Sequence, residues 1–243
     1  KHPPLPSWID EAVAVASGGA VWAQYLAAQA AVVLAFWAVW RLAREMVAPE
    51  AALMSVCLLE CCPFYNLVSE SLNNNVGLYP CWAMTVLFLY RALKSPRSRL
   101  ASWLAVGIWL GLGMLTKYTT AMLGVTILAF GLVHPDARKA WRDLGPYLAI
   151  LTAALVFLPH AWWVAAHGFA PLHYAASHAP PAAGLLGRLL NSLNFLGAQL
   201  AMLAPLLLVA AVAIGRYARW RVADAKQQFD RAFLATMVLG PLI

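Results

Sequence analysis

An all-α, polytopic transmembrane helical bundle is the fold class this sequence predicts, and three observations carry the prediction. Of its 243 residues 63% are hydrophobic and 11% charged, against roughly 45–50% and about 25% in ordinary soluble domains. The apolar residues lie in blocks of about 17–23, the length that crosses a ~30 Å hydrocarbon core. The blocks run uninterrupted, without the in-out alternation of barrel strands, so their backbone polar groups must bond within helices.

Taken in order, residues 1–18 form an outward segment containing Pro3, Pro4 and Pro6. A short helix is expected from about Ser7, whose hydroxyl would cap a first turn holding Asp10 and Glu11. With Trp8 and Ile9, it suits the interface rather than a crossing. The predicted spans are Ala20–Trp40, Ala51–Val68, Val76–Tyr90, Leu100–Thr116, Thr119–Val133, Leu144–Trp163 and Phe195–Ile214, with the start of another near Ala232. Residues 1–243 therefore read as a single transmembrane domain of about seven complete spans, with no repeat or linker. The chain opens on Lys1-His2-Pro3-Pro4 and stops inside an apolar run at Ile243, so it is expected to be a fragment.

The formal charge of +7 would suit nucleic acid if its sources were clustered on one face. Instead, Arg41 and Arg44, then Arg91, Lys94, Arg97 and Arg99, then Arg138, Lys139 and Arg142, then Arg216, Arg219, Arg221, Lys226 and Arg231 fall in every second connection. That is the positive-inside pattern of a membrane protein, and nucleic acid is excluded as its cause. Lys1, Lys117 and Arg188 are left for the outer side, which the N-terminal stretch and the loops around Asn73, Lys117 and His173 share. Cys57, Cys61, Cys62 and Cys81 lack the paired spacing of a zinc site and read as small packing residues.

Polar groups near the outer ends of the spans are the candidates for chemistry, because lipid makes them costly. His2, His160, His167, His173 and His178 fall on or near that face. Each suits a metal or phosphate oxygen, and each equally suits a headgroup belt beside Trp162 and Trp163. Asn73-Asn74-Asn75 offers amides to a sugar or phosphate, or else caps the helix that starts at Val76. Lys117-Tyr118 interrupts an apolar run too long for one crossing, so it marks a tight outer turn. Its ammonium is either a snorkelling anchor or a fixed cation for a lipid phosphate. Glu60, inside a predicted span and one turn before Pro63, would be the coupling group of a transporter.

Several motifs occur in an order that resembles a known family. His2-Pro3-Pro4-Leu5, then Phe64-Tyr65 with Asn73, Asn75 and Pro80-Cys81-Trp82, then Gly111-Leu112-Gly113-Met114-Leu115-Thr116-Lys117-Tyr118, then Pro159-His160 through Pro171, Tyr174 and His178 are similar to landmarks of the bacterial family 39 glycosyltransferases. Those enzymes are relatives of the protein O-mannosyltransferases and of the aminoarabinose transferases that modify lipid A. The resemblance implies a GT-C fold with an outward active site and a polyprenyl-phosphate-linked sugar as donor. The acceptor would be a lipid, glycan or protein, and the setting the bacterial inner membrane with the site on the periplasmic face.

The same resemblance implies roles for residues. Lys1, His2, Lys117 and Tyr118 would bind the donor phosphate, and Asn73, Asn75, His160, His173 and His178 the sugar or acceptor. A divalent metal, if the reaction uses one, would meet His2; no other cofactor is expected. The family's catalytic carboxylate would lie just upstream of the His-Pro-Pro-Leu segment, outside this chain. The asparagines stand where relatives carry a second acid, and an amide cannot act as a general base. The alternative from another class is a multi-pass transporter or lipid flippase working through Glu60.

Overall fold

A computed structural model of the chain describes residues 2–95, 99–177, 184–217 and 225–242. Among them all regular structure is helical. In chain order the helices are α1 (Leu5–Ser17), α2 (Val21–Met46), α3 (Pro49–Glu60), α4 (Leu78–Lys94), α5 (Arg99–Thr116), α6 (Thr120–Val133), α7 (Pro135–Arg138), α8 (Gly145–Ala166), α9 (Ala170–Ser177), α10 (Leu185–Tyr217) and α11 (Ala225–Leu239). Short 3-10 turns occupy Pro63–Tyr65, Lys139–Arg142 and Gly240–Leu242.

Two elements differ from expectation for local reasons. Helix α1 begins at Leu5, where the Trp8 amide bonds the Pro4 carbonyl at 3.0 Å, and no side chain caps it. Pro6 sits in the first turn, where its missing N–H costs nothing, so Ser7 falls inside the helix rather than at its cap. The larger difference is the expected span Ala51–Val68. Helix α3 stops at Glu60 after 12 residues, about 18 Å of rise. Pro63 has no amide hydrogen with which to prolong it, and the chain passes through the 3-10 turn into a loop that ends at Gly77. Glu60 is left exposed, and its carbonyl accepts a 2.6 Å bond from Asn66 Nδ2.

Among the described residues four segments have the length and apolarity to cross a membrane: Val21–Met46, Arg99–Thr116, Gly145–Ala166 and Leu189–Ala211. The protein is an integral membrane protein. Helix α4 has 17 residues and α6 has 14. Past α6 the chain bends by 92° into the segment Pro135–Arg142.

Helix α4 is the hub of the core. Its Met84, Leu87, Leu89 and Tyr90 pack with Ala38 and Leu42 of α2, Trp103 and Val106 of α5, Leu123 and Phe130 of α6, and Phe229 and Phe233 of α11. Small residues let α5 approach closely. A Cβ on Gly107 would lie 2.4 Å from the Ala149 carbonyl oxygen and one on Gly111 2.7 Å from Val156 Cβ, so both glycines serve the α5–α8 contact. Gly113 faces Thr120 instead and closes the α5–α6 hairpin.

The two ends of the bundle differ in chemistry. At one end Arg91 bonds Glu45 at 2.6 Å, Arg99 bonds Asp143 at 3.0 Å and Lys139 bonds Asp136 at 2.8 Å. The loop leading to α4 and the Lys117 turn gather at the other end, one length of α5 away, or about 27 Å for its 18 residues.

Candidate functional site

The loop between the Pro63–Tyr65 turn and α4 is pinned at both sides of its asparagines. Leu72 and Val76, 8% and 1% exposed, pack against Ala28 and Val32 of α2. Gln29 Nε2 reaches from α2 to the Ser69 carbonyl at 2.9 Å, and the Ser69 hydroxyl and Tyr79 hydroxyl both donate to the Phe64 carbonyl. The loop is thus a fixed support, not a slack connection.

The three amides have separate tasks. Asn73 Oδ1 accepts from the Asn75 and Val76 amides at 2.8 and 3.2 Å, and its Nδ2 donates to the Ser71 carbonyl, so this side chain is spent on shaping the turn. Asn74 Nδ2 donates to the Thr116 carbonyl at 2.7 Å and ties the loop to the end of α5. Asn75 is exposed, and its Oδ1 accepts a 2.8 Å bond from Lys117 Nζ. Among the described residues Lys117 has no carboxylate partner, so its charge is oriented but not neutralised.

Tyr118, next in the turn, looks the other way. Its hydroxyl and His160 Nε2 share a 2.9 Å hydrogen bond. Burial raises the Tyr118 phenol above its ordinary pKa, which keeps the hydroxyl neutral. His160 is 7% exposed, with the Tyr118 and Trp163 rings lying near-parallel to it at centroid distances of 6.0 and 5.9 Å. Its Nε2 is therefore occupied by Tyr118. His167 stacks on Trp163 at 4.3 Å, and its Nδ1 bonds the Trp163 carbonyl, which places it in the same aromatic column. The turn Lys117-Tyr118 consequently joins the asparagine loop to α8.

Beside the loop lies a cavity of about 450 Å³. Asn73 and Asn75 face it together with Tyr65 and Tyr79, while its far wall comes from Gln199, Leu203 and Leu206 of α10. Tyr65 packs edge-on between Phe36 and Tyr79 at 5.4 and 4.9 Å, and burial pushes its phenol up to about 12. Its lining is mostly apolar, with Asn73, Asn75 and Gln199 as its amides.

Of the sequence candidates, Asn73, Asn75, Lys117, Tyr118 and His160 come together here. His2 is exposed, four residues before Pro6, which approaches Gly77 beside the asparagine turn. Among the described residues it makes no hydrogen bond, and no group of three or more His, Cys, Asp or Glu converges on a metal position. Lys1 and His178 lie outside the described residues, and of His173, in α9, only the backbone is described. Tyr79 and Gln199 were missed by the sequence reading, and Tyr65 entered it only within the Phe64-Tyr65 landmark, without a role. Gln199 stands out as the amide in an otherwise apolar run; Tyr79 carries no comparable signal. Glu60, exposed at the end of α3, has no described basic partner, so the coupling role considered for it gains no structural footing.

Comparison with known proteins points in one direction. The lipopolysaccharide core galacturonosyltransferase RgtA of Rhizobium johnstonii is 27% identical over 219 residues, which is 86% of this chain and 43% of that protein. The undecaprenyl phosphate-alpha-4-amino-4-deoxy-L-arabinose arabinosyl transferase of Pseudomonas aeruginosa is 32% identical over 60% of this chain and 26% of its own length. The chain thus spans less than half the length of these relatives. Its fold is that of ArnT from Cupriavidus metallidurans: the apo crystal structure superposes with a TM-score of 0.69 at 17% identity, covering 99% of this chain and 49% of that one. The complex of that protein with undecaprenyl phosphate gives 0.60 over 68% of this chain, at 20% identity. The expected GT-C-like bundle is therefore present. The family model described as dolichyl-phosphate-mannose-protein mannosyltransferase matches residues 1–163, and the chain belongs to that family.

Proposed function

We propose that the protein transfers a sugar from a polyprenyl-phosphate donor to a lipid acceptor at the end of the bundle opposite its basic rim. The observation that carries this reading is the un-neutralised ammonium of Lys117, held 2.8 Å from Asn75 Oδ1 at the rim of an apolar cavity whose wall includes Asn75 itself. A phosphate with a hydrocarbon tail matches that juxtaposition of cation and apolar slot. Support also comes from the names of the relatives, which are glycosyltransferases, one of them using an undecaprenyl-phosphate sugar. By the positive-inside rule the site faces away from the cytoplasm. In a bacterium that is the periplasmic side of the inner membrane. Residues 1–243 would form one membrane domain of the enzyme.

Little is asked of the protein beyond orientation and charge. Lys117 would stabilise the phosphate as the sugar leaves it, with Asn75 aiming the ammonium. Asn73 would act through the turn it shapes. The neutral Tyr118 hydroxyl, steadied by His160, would donate to a phosphate or sugar oxygen. Lys1 and His2 would approach the phosphate from the N-terminal side, and His173 and His178 would serve the acceptor. A lone His2 does not make a metal site, and no step is assigned to a metal.

The test is sugar transfer from a polyprenyl-phosphate donor by the full-length protein in detergent, since residues 1–243 alone are expected to be inactive, comparing wild type with Lys117→Ala and His2→Ala. Removing a charge that stabilises the transition state costs about 10²–10³-fold in rate, so Lys117→Ala should lose at least ~10²-fold while remaining folded. Activity indifferent to both substitutions, or absent with every polyprenyl donor, would sink the reading.

A further inference from the structure

At the basic end, two cavities of opposite chemistry adjoin. The first, of about 240 Å³, is an apolar groove between α6 and α8 with α5 as its floor. Leu128 and Ile150 on its walls are 40% and 50% exposed, so it opens sideways towards the hydrocarbon. The second, of about 400 Å³, is polar and holds Lys94, Arg99 and Lys139 with Asp136 and Asp143. Leu93 and Ala140 belong to the walls of both.

Among the described residues the polar cavity holds three cations and two carboxylates. Arg99 pairs with Asp143 at 3.0 Å and Lys139 with Asp136 at 2.8 Å. Lys94 forms no ion pair among the described residues; its ammonium stands 3.8 Å over the Phe229 ring instead. Arg99 Nε is buried and has no hydrogen-bond partner among the described residues. A positive surplus thus lines a space whose neighbour is apolar and open to lipid. An occupant that satisfies both must carry an anionic head and a hydrocarbon chain.

We infer that one anionic glycerophospholipid of the basic-side leaflet docks here, with its phosphate against Lys94 and Arg99 and one acyl chain in the α6–α8 groove. Each partial alternative leaves part of this arrangement unused. A free anion would leave the groove empty, and a zwitterionic lipid would set its own cation against Lys94. The site lies one helix length from the asparagine loop and is independent of the transferase reading.

Native mass spectrometry of the detergent-purified protein, titrated separately with phosphatidylglycerol, phosphatidylcholine and glycerol 3-phosphate, tests this. Phosphatidylglycerol should bind at least tenfold more tightly than phosphatidylcholine, and Lys94→Gln should erase that preference. Gly124→Leu fills the groove from a position where an added Cβ meets only Leu110 Cδ2, at 3.9 Å. It should weaken both lipids while the lipid-free melting temperature holds. Equal affinity for the two lipids, or a preference that survives Lys94→Gln, overturns the proposal. So does glycerol 3-phosphate binding as tightly as phosphatidylglycerol, because the groove would then contribute nothing.

Discussion

The two ends of α5 carry cations in opposite circumstances. At its start Arg99 meets Asp143, and nearby Arg91 meets Glu45 and Lys139 meets Asp136. At its far end the Lys117 ammonium meets, among the described residues, the neutral oxygen of Asn75 and no carboxylate. A carboxylate partner cancels charge and adds about 1 kcal/mol of stability at a surface; an amide partner fixes direction and leaves the charge in place. The ion-paired cations of the basic rim, Arg91, Arg99 and Lys139, are therefore topology made rigid, whereas Lys117 is a charge kept available. Substituting the partners rather than the cations separates these two uses.

Among the partner substitutions Asn75→Asp should have the largest effect. It retains the shape and reach to Lys117 Nζ but converts the contact into an ion pair, so donor affinity in the transfer assay should fall about tenfold, ~1.4 kcal/mol. Glu45→Gln, its counterpart at the basic rim, should leave transfer within about twofold and lower stability by about 1 kcal/mol. Equal losses of transfer in the two variants would break the distinction between the ends.

A smaller effect is expected from Tyr118→Phe, which deletes the bond to His160 at a cost of about 1 kcal/mol. If the hydroxyl also meets the donor, kcat falls severalfold while the melting temperature moves by only a few degrees. A change in melting temperature with kcat intact would confine the pair to structure.

The smallest effect is a pH dependence. The Tyr65 phenol is pushed up to about 12 from the ordinary 10.0 by burial. Below pH 10 folded and unfolded chains are both neutral there. Above it the unfolded chain ionises first, so this residue's contribution is lost as pH rises from 10 towards 12. Tyr65→Phe should therefore lose less stability than wild type between pH 8 and pH 11, measured by thermal unfolding at both values.

Much of the site was legible because lipid makes polar residues conspicuous. Lys117 stood out as a lone outward cation in an apolar run, and the asparagines as adjacent amides ahead of a span. The balance between binding and capping at those asparagines was not legible. Asn73 turned inward to the turn and Asn75 outward to Lys117, and two identical side chains two positions apart carry no sign of that. His160 was legible as an outer histidine, but not as one already engaged by Tyr118 and near-parallel to the Trp163 ring.

What the sequence determined by itself was the solvent and the sidedness. Apolar blocks need lipid, and alternating basic connections orient them, because both follow from transfer free energies that add along the chain. Gly107, Gly111 and Gly113 announced close packing in the same local way. Which surfaces they met was decided only in three dimensions: Gly107 and Gly111 took α8, and Gly113 took the start of α6. The break after Glu60 belonged to tertiary structure too, since hydropathy runs on through Pro63 to Val68 while the backbone does not. The cavity under the asparagine loop needed Gln199 of α10 to arrive from well over a hundred residues along the chain. A contact between distant helices leaves no periodicity in either of them, so only packing could reveal it.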